Sequence, residues 1–407
     1  MRYREAQGLP QELPKDDGSE SKSVWKKTYS CTTITPIYGG GVEKGQIDIE
    51  MPIRSSAIRG QLRFWWRLLR QQASDIALTP TQLFQQEREI WGGMAEENND
   101  YASQVKIRIV DVHKPYKVSA DFYNDINLKY ALFSARDTSA QLFKPGLTFT
   151  LVVSYEGNEK NIEMLEQSIR WWASFGGVGA RTRRGLGAVE IKSLLPVTRE
   201  EVERYGCQLA QKPAQPGAGG DAAISAWKAS IKKLYQFRQG ANIGRRAGNG
   251  RSYWPEPDSI RELTGKIKGH EPEHKARNSF PRAAFGLPIV FEFTKDKRNE
   301  PPKTELTPLR YERMASPLII KPMVTEKGYV PMTLFLPVDH LDELELKLKE
   351  LDVSSHKNFS SEMSRDEWWP SDENDAYKKA QYIKAMQNRG HDPLQAFMEF
   401  FVKEGRQ

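Results

Sequence analysis

A run of thirteen residues, Phe175 to Gly187, constrains this chain more than any other stretch. It contains five glycines and three arginines and no carboxylate. Glycine reaches backbone conformations that other residues avoid, and it lets a second molecule approach because it has no Cβ atom. Successive N–H groups in such a turn can form a concavity for anions, and arginine adds planar charged donors that fit phosphate. The run predicts a loop that holds a polyanion; the alternative is a tight turn with solvated arginines.

Six predicted elements surround this loop. Helical spacing of apolar residues predicts helices over 53–70 and 159–174. Alternating or β-branched stretches predict strands over 25–38, 105–112, 146–155 and 188–195. The order strand, helix, strand, strand, helix, strand is that of a ferredoxin-like unit, here with an insertion over 113–145. The loop then lies between the second helix and the last strand.

The first predicted helix carries an arginine face. Arg59, Arg63, Arg67 and Arg70 follow one another at helical spacing. Such a row is unfavourable unless an anion neutralises it; the alternative is that acids from elsewhere in the fold do so. Arg54, Ser55 and Arg59 lie nearest the N-terminal end, where orphan N–H groups and the helix dipole favour phosphate.

Charge is unevenly distributed along the 407 residues, whose formal net charge is +7. Residues 53–69 and 237–254 each contain four arginines and no acid. Clustered arginine is typical of nucleic-acid binding, and ordinary surface charge is the alternative. In the second cluster Arg245 and Arg246 lie in a glycine-rich stretch, and the nearby Tyr253 and Trp254 either stack on bases or pack under the loop.

The length predicts two domains at roughly 100–200 residues each. We expect a loose leader (1–24), a first domain (25–197), a charged helix with a Pro/Gly-rich linker (198–221) and a second α+β domain (222–407). For the second domain we predict strands within 289–293, 313–321 and 329–337 and helices over 222–237, 341–351 and 375–404, the last interrupted near residue 390. The acidic segment 361–375, with Trp368 and Trp369, is expected to be an exposed docking surface.

Enzymatic chemistry has little support in the sequence. None of the six histidines lies in an arginine-rich element. His270 and His274 have the spacing of two ligands on a helix, but the glycine and proline beside them favour a solvated loop. Asp48 is a weak catalytic candidate in the loop before the first helix. We therefore expect no catalytic residues, no cofactor and no metal, and the absence of a signal peptide or apolar span predicts a cytoplasmic protein.

Three features together resemble a known family. Gly39–Gly41 leads to Ile58-Arg-Gly-Gln-Leu-Arg-Phe-Trp-Trp-Arg67, the glycine-rich loop follows the second helix, and Phe285–Pro288 and Arg313–Leu318 come later. The loop resembles that of the RAMP superfamily of CRISPR proteins. The helix is similar to that of the first-numbered RAMP subunits of type III-B (Cmr) effector complexes. The resemblance implies an α+β chain of two ferredoxin-like (RRM-like) domains with insertions and C-terminal helices.

The resemblance also implies a function. Such a chain would be a non-catalytic, RNA-binding head subunit in antiviral defence, contacting the 3′ part of the CRISPR guide RNA and the paired target RNA, with other Cmr subunits as partners. A metal-independent CRISPR RNA-processing endoribonuclease and a mainly protein-docking assembly subunit remain alternatives. The predicted RNA-binding residues are Arg54, Ser55, Arg59, Arg63 and Arg67 in the first helix, Gly176, Gly177, Gly179, Arg181, Thr182, Arg183 and Arg184 in the glycine-rich loop, and Arg245 and Arg246.

Overall fold

The computed structural model describes residues 24–403 except 42, 44, 73–77, 97–98, 134–139, 217–218, 249, 268–269, 294–299 and 352–358. Residues 1–23 of the expected leader lie outside the described residues. The first half contains β1 (Trp25–Thr33), β2 (Ile37–Tyr38), α1 (Ser55–Gln72), α2 (Pro80–Trp91), β3 (Gly93–Glu96), β4 (Asn99–Tyr101), β5 (Val105–His113), β6 (Lys117–Ser119), α3 (Ile126–Ala131), β7 (Gln141–Phe143), β8 (Thr148–Tyr155), α4 (Ile162–Phe175) and β9 (Val189–Glu190). The second half contains α5 (Arg199–Arg204), β10 (Gln208–Gln211), α6 (Gly219–Gln239), α7 (Glu256–Thr264), β11 (Ile289–Phe291), β12 (Thr304–Pro308), β13 (Leu318–Thr325), β14 (Gly328–Phe335), β15 (Leu346–Glu350), β16 (Ser360–Met363), α8 (Arg365–Trp368), α9 (Glu373–Gln381) and α10 (Pro393–Val402).

The first domain has the predicted ferredoxin-like topology. Its antiparallel sheet has the order β5-β8-β1-β9, which is the spatial order second, third, first, fourth. Helices α1 and α4 pack together on this sheet. Leu62, Trp65, Trp66 and Leu69 form the buried face of α1, and the indole of Trp65 lies 5.7 Å from that of Trp171 on α4. The apolar spacing read from the sequence is thus what joins the two helices.

The second domain repeats this order with three strands in the part of the chain that is described. Its antiparallel sheet is β10-β14-β13, again first strand beside third and third beside second. Helix α6 covers β13 and β14, and α10 packs against α6 and β10. The predicted α+β class and the two ferredoxin-like units are therefore confirmed.

Strand β13 lies between two apolar cores. Ile319 and Met323 pack with the tryptophans of α1 and α4, whereas Leu318 and Ile320 pack with Trp227 of α6. This alternation follows from the period of two along a strand. The second sheet therefore carries the first domain on one face and its own helices on the other.

Smaller sheets lie beside the two main ones. The residues expected to be an insertion after β5 supply α3 and strands β6 and β7, and these strands form an antiparallel sheet with β2 in the order β2-β7-β6. Between α6 and the end of the chain, β11-β12-β15-β16 form a separate four-stranded sheet. The short β3 and β4 pair only with each other among the described strands.

Two secondary-structure predictions are wrong. The helix predicted over 341–351 is a turn followed by strand β15, whose alternating Leu346 and Leu348 pair with Pro308 and Leu306 of β12. The charged helix and linker expected over 198–221 contain a strand: the helix ends at Arg204, and 208–211 form β10, because Gly206 at φ 64° breaks the helix.

The acidic docking surface is also wrong as predicted. Trp368 and Trp369 are buried. Their indole N–H groups donate to the carbonyl oxygens of Leu344 (2.7 Å) and His391 (3.1 Å). The two tryptophans hold the chain around α8 in the core, so they are not the exposed contact residues that the sequence predicted.

Candidate nucleic-acid interface

The glycine-rich loop is folded onto itself and onto β2. The N–H groups of Val178 and Ala180 donate to the carbonyls of Gly187 (2.8 Å) and Tyr38 (2.7 Å). Gly187 has φ 61°, and a Cβ there would lie 1.9 Å from the carbonyl oxygen of Val178. Glycine is thus required here by close backbone approach. Gly176 and Gly177 are buried, Gly179 is exposed, and Thr182 begins a short 3₁₀ turn that ends at Arg184.

Two of the loop arginines bind the second domain. The guanidinium of Arg183 donates to the carbonyl of Ser316 and lies 5.4 Å from the ring centre of Phe64. The guanidinium of Arg184 donates to the carbonyl of Leu318 (3.1 Å). In return, the buried Nζ of Lys321 donates to the carbonyl of Gly176 (2.7 Å). The loop therefore connects the two domains, because Arg183 and Arg184 donate to carbonyls of the second domain and Lys321 donates back to the loop.

The loop forms one wall of an arginine-lined cavity of about 680 Å³, referred to below as the basic cavity. Its guanidinium groups belong to Arg181, Arg184, Arg238 and Arg282, from the loop, the end of α6 and the turn before β11. Aromatic side chains of Tyr130, Phe133 and Phe285 also line it, and Phe133 is 66% exposed. None of the described residues that line it is acidic.

The charges in the basic cavity destabilise one another. Burial, followed by the nearby guanidinium of Arg238, lowers the pKa of Arg184 to about 10. Burial also lowers the pKa of Arg282, although Glu256, 3.0 Å from its Nε, partly compensates. The Nε of Arg238 is buried without a hydrogen bond among the described residues. Desolvated positive charges held together in this way favour a bound anion, which would relieve their repulsion.

Other groups of the protein contact the arginine face of α1 and the Arg54 that precedes it. Glu87 of α2 lies 2.7 Å from Arg63 and 3.5 Å from Arg67, so the alternative of acids from elsewhere in the fold holds for both. Arg59 donates to the carbonyls of Trp91 and Val105. Arg54 pairs with Asp48 at 2.7 Å. Arg63 and Arg67 keep outer edges in solvent, but the row is no free anion site.

The start of α1 nevertheless meets the loop. A cleft of about 60 Å³ is lined by Arg54, which immediately precedes α1, by Gln61 of α1, and by Gly177 and Gly179 of the loop. Ser55 is exposed at the first residue of α1 beside this cleft. The structure thus brings together the two elements that the sequence singled out.

Arg245 and Arg246 lie apart from the basic cavity. Arg246 is exposed and pairs with Glu273 at 3.1 Å, and Arg245 is half-buried. Trp254 is buried against Phe237, with ring centres 5.5 Å apart, so of the two alternatives for this tryptophan the structure shows packing. Neither arginine lines the basic cavity.

Sequence reasoning missed four residues of the basic cavity. Arg238 lies in the acid-free run 237–254, but nothing singles it out from its neighbours there. Arg282 precedes the Phe285–Pro288 motif, so sequence reasoning identified this region of the chain but not the arginine in it. Tyr130 and Phe133 come from the insertion, whose aromatic residues had no visible periodicity.

The candidate catalytic groups are engaged in structural contacts. Asp48 accepts hydrogen bonds from the N–H of Met51 (2.9 Å) and from Arg54 (2.7 Å), which hold the pKa of its carboxyl below the usual value. His270 pairs with Glu300, and His274 contacts the Tyr253 carbonyl at 3.0 Å; both lie in a loop, as predicted. Burial lowers the pKa of His274. No cluster of His, Cys, Asp and Glu suited to a metal occurs among the described residues, and no described helix could cross a membrane.

Comparisons with known proteins confirm the resemblance. Residues 30–190 match the model of the RAMP superfamily. A stretch of 144 residues is 29% identical to the CRISPR system Cmr subunit Cmr1-1 of Pyrococcus furiosus; it covers 34% of this chain and 40% of that protein's length. The crystal structure of Cmr1 from Pyrococcus furiosus in its apo form is similar over 83% of this chain and 94% of that one, with 18% identity and a TM-score of 0.45.

Proposed function

We propose that this chain, a Cmr1-like RAMP protein, is a non-catalytic RNA-binding subunit of a type III-B (Cmr) CRISPR complex. The RAMP match over residues 30–190 includes the glycine-rich loop. The partners would be CRISPR guide RNA, its target RNA and the other Cmr subunits, in the cytoplasm. The 3′ part of the guide is the segment we expect it to contact.

The basic cavity is the observation that carries this proposal. Guanidinium groups in a partly desolvated cleft bind phosphate through charge-assisted hydrogen bonds. The rings of Tyr130 and Phe133 on the same wall offer surfaces on which unpaired bases can stack. A cleft that holds both hydrogen-bond donors for phosphate and aromatic rings suits single-stranded RNA better than a small inorganic anion.

A structural role follows from the way the loop is held. Arg183, Arg184 and Lys321 bind backbone carbonyls across the domain boundary, which fixes the loop whether or not RNA is present. A preformed site loses little conformational entropy on binding. None of the described residues that line the basic cavity is a histidine, a lysine or a carboxylate, so the proposed role is to hold RNA and not to cut it.

Replacing Arg238 by Ala tests the proposal. Its guanidinium lines the basic cavity and donates to no described carbonyl, so its loss should leave the domain contacts intact. RNA affinity should fall about tenfold, and the dependence of log K on log salt should become shallower by about 0.7, the value for one phosphate of a single strand. Fluorescence anisotropy with a labelled 12-nucleotide RNA over a salt series measures both.

Arg277→Ala is the matched control, because Arg277 is a surface arginine paired with Glu262 outside the basic cavity. It should leave both the affinity and the salt slope unchanged. Equal behaviour of Arg238→Ala and the wild type would count against RNA binding in the basic cavity. Cleavage of RNA by the purified chain would contradict the non-catalytic role.

A further inference from the structure

An exposed group of two aromatic rings and a lysine lies on the insertion, away from the described lining of the basic cavity. Tyr116 is 68% exposed and Phe122 is 57% exposed. The Nζ of Lys144 lies 4.2 Å from the centre of each ring and 2.5 Å from the Tyr116 hydroxyl. These three residues are called the aromatic platform below.

The aromatic platform is not part of the insertion's core. That core is formed by buried side chains, among them Tyr123, Leu128, Leu132 and Leu142. Large aromatic side chains left in solvent beside a complete core commonly mark a contact surface. Both rings of the aromatic platform stay more than half exposed in this chain, so their position needs another explanation.

The backbone fixes the aromatic platform in place. Tyr116 immediately precedes β6, and Lys144 immediately follows β7, the two strands that pair as Lys117 with Phe143. The N–H of Lys144 donates to the carbonyl of Tyr116 at 3.3 Å. Phe122 ends the short 3₁₀ turn after β6. The rings are thus held by paired strands and need little ordering when a ligand binds.

The charge of the aromatic platform indicates which ligand it suits. Lys114 and Lys117 are exposed nearby; Lys114 donates to the carbonyls of Ile49 and Glu50, and none of these two lysines and Lys144 belongs to an ion pair between described residues. An ammonium between two rings keeps donors for a phosphate oxygen. Rings with unneutralised lysines are typical of single-strand binding surfaces, where bases stack and the backbone meets cations.

We propose that the aromatic platform stacks an unpaired nucleobase of the bound RNA while Lys144 contacts the adjacent phosphate. This inference rests on the RNA binding proposed above and adds a second, base-dependent site to the phosphate site of the basic cavity. It assigns the insertion between β5 and β8 the task of engaging a strand that extends beyond the basic cavity.

The double variant Tyr116→Leu/Phe122→Leu tests the inference in the full chain. Two labelled probes are compared by anisotropy: a 12-nucleotide RNA and an oligomer of equal length and charge whose nucleotides lack bases. The double variant should bind the RNA at least about tenfold more weakly, because stacking depends on the rings. Its salt slope should equal that of the wild type, since no charge is removed, and it should bind the base-free oligomer as the wild type does.

Two control variants separate stacking from other effects. Tyr116→Phe keeps the ring and should retain RNA affinity, which shows that the hydroxyl bond to Lys144 is not the cause. Tyr311→Leu removes an equally exposed ring, 73% exposed, outside the insertion and should change nothing. Thermal unfolding of each variant checks that the fold is kept.

Each remaining outcome is decisive. An unchanged affinity of the double variant for RNA, or an equal loss on both probes, overturns the inference. An unchanged RNA affinity with failure to co-purify with other subunits would make the aromatic platform a protein-docking surface and also overturn it. Loss of binding in Arg238→Ala without loss in the double variant would leave the proposed function standing and reject the aromatic platform alone. If the wild type binds neither probe, both proposals fail.

Discussion

At the scale of residues, buried cations decide how the two domains meet. Lys321 on β13 is buried and donates to one carbonyl, that of Gly176. Burial lowers its pKa to about 7. Arg183 and Arg184 likewise bind backbone carbonyls of the second domain. Because these cations bind neutral oxygens, they favour one arrangement of the glycine-rich loop but do not strongly stabilise the folded state.

Stability should depend on pH through Lys321. Its pKa is about 7 in the folded chain against an ordinary value of 10.5. The unfolded state therefore binds more protons between these values, and this group's contribution makes stability rise with pH from 7 to 10.5. Below pH 7 both states are protonated, and the burial penalty is present in full.

Lys321→Met should remove this slope. The free energy of unfolding of the wild type relative to the variant should increase by up to about 1.4 kcal/mol per pH unit above pH 7. Urea titrations at pH 6.5, 8.0 and 9.5 measure this difference. A difference that stays constant over the three pH values would show that Lys321 is protonated throughout.

At the scale of elements, the sequence predicts the first domain well and the second less well. The first domain's elements are long and strongly periodic, as in the apolar face of α1 and the alternation of β5. The failures are short elements. Strand β15 has five residues and β10 has four, and charged neighbours make both look helical. Their partners β12 and β14 are distant in sequence, and that pairing is what decides their structure.

Replacing either of two glycines, Gly187 in the glycine-rich loop and Gly60 in α1, by alanine should change the stability of the chain in opposite directions. In Gly187→Ala the Cβ would lie 1.9 Å from the Val178 carbonyl oxygen at φ 61°, so the glycine-rich loop must shift. We expect a loss of more than about 2 kcal/mol in stability. Gly60 lies within α1, and the position that a Cβ atom would take there is open. Gly60→Ala should therefore stabilise the chain by about 0.5–1 kcal/mol.

Chemical unfolding of both variants measures the contrast. Because the two substitutions add the same methyl group, a shared effect on the unfolded state largely cancels between them. A mild effect of Gly187→Ala, comparable to that of Gly60→Ala, would contradict the close backbone approach described for the glycine-rich loop.

At the scale of the whole molecule, the candidate site lies where the domains meet. The sequence singles out the glycine-rich loop and the start of α1, and the structure brings both to one cleft. Arg238 and Arg282 could not be found in the same way, since they lie 54 and 98 residues beyond Arg184 and reach the basic cavity only through the packing of the second domain. Glu87, which pairs with both Arg63 and Arg67, could likewise not be identified without the position of α2.

The central claim is that RNA lies in the basic cavity with its bases against the rings of Tyr130 and Phe133. Crosslinking of a 12-nucleotide RNA containing 4-thiouridine, followed by mass spectrometry of the linked peptides, tests it most directly. The account predicts crosslinks to the peptide that contains Tyr130 or Phe133 and to the peptide that contains Phe285. These crosslinks should be weaker in Arg238→Ala. Crosslinks confined to the Arg245–Arg251 stretch, or unchanged by the substitution, would contradict it.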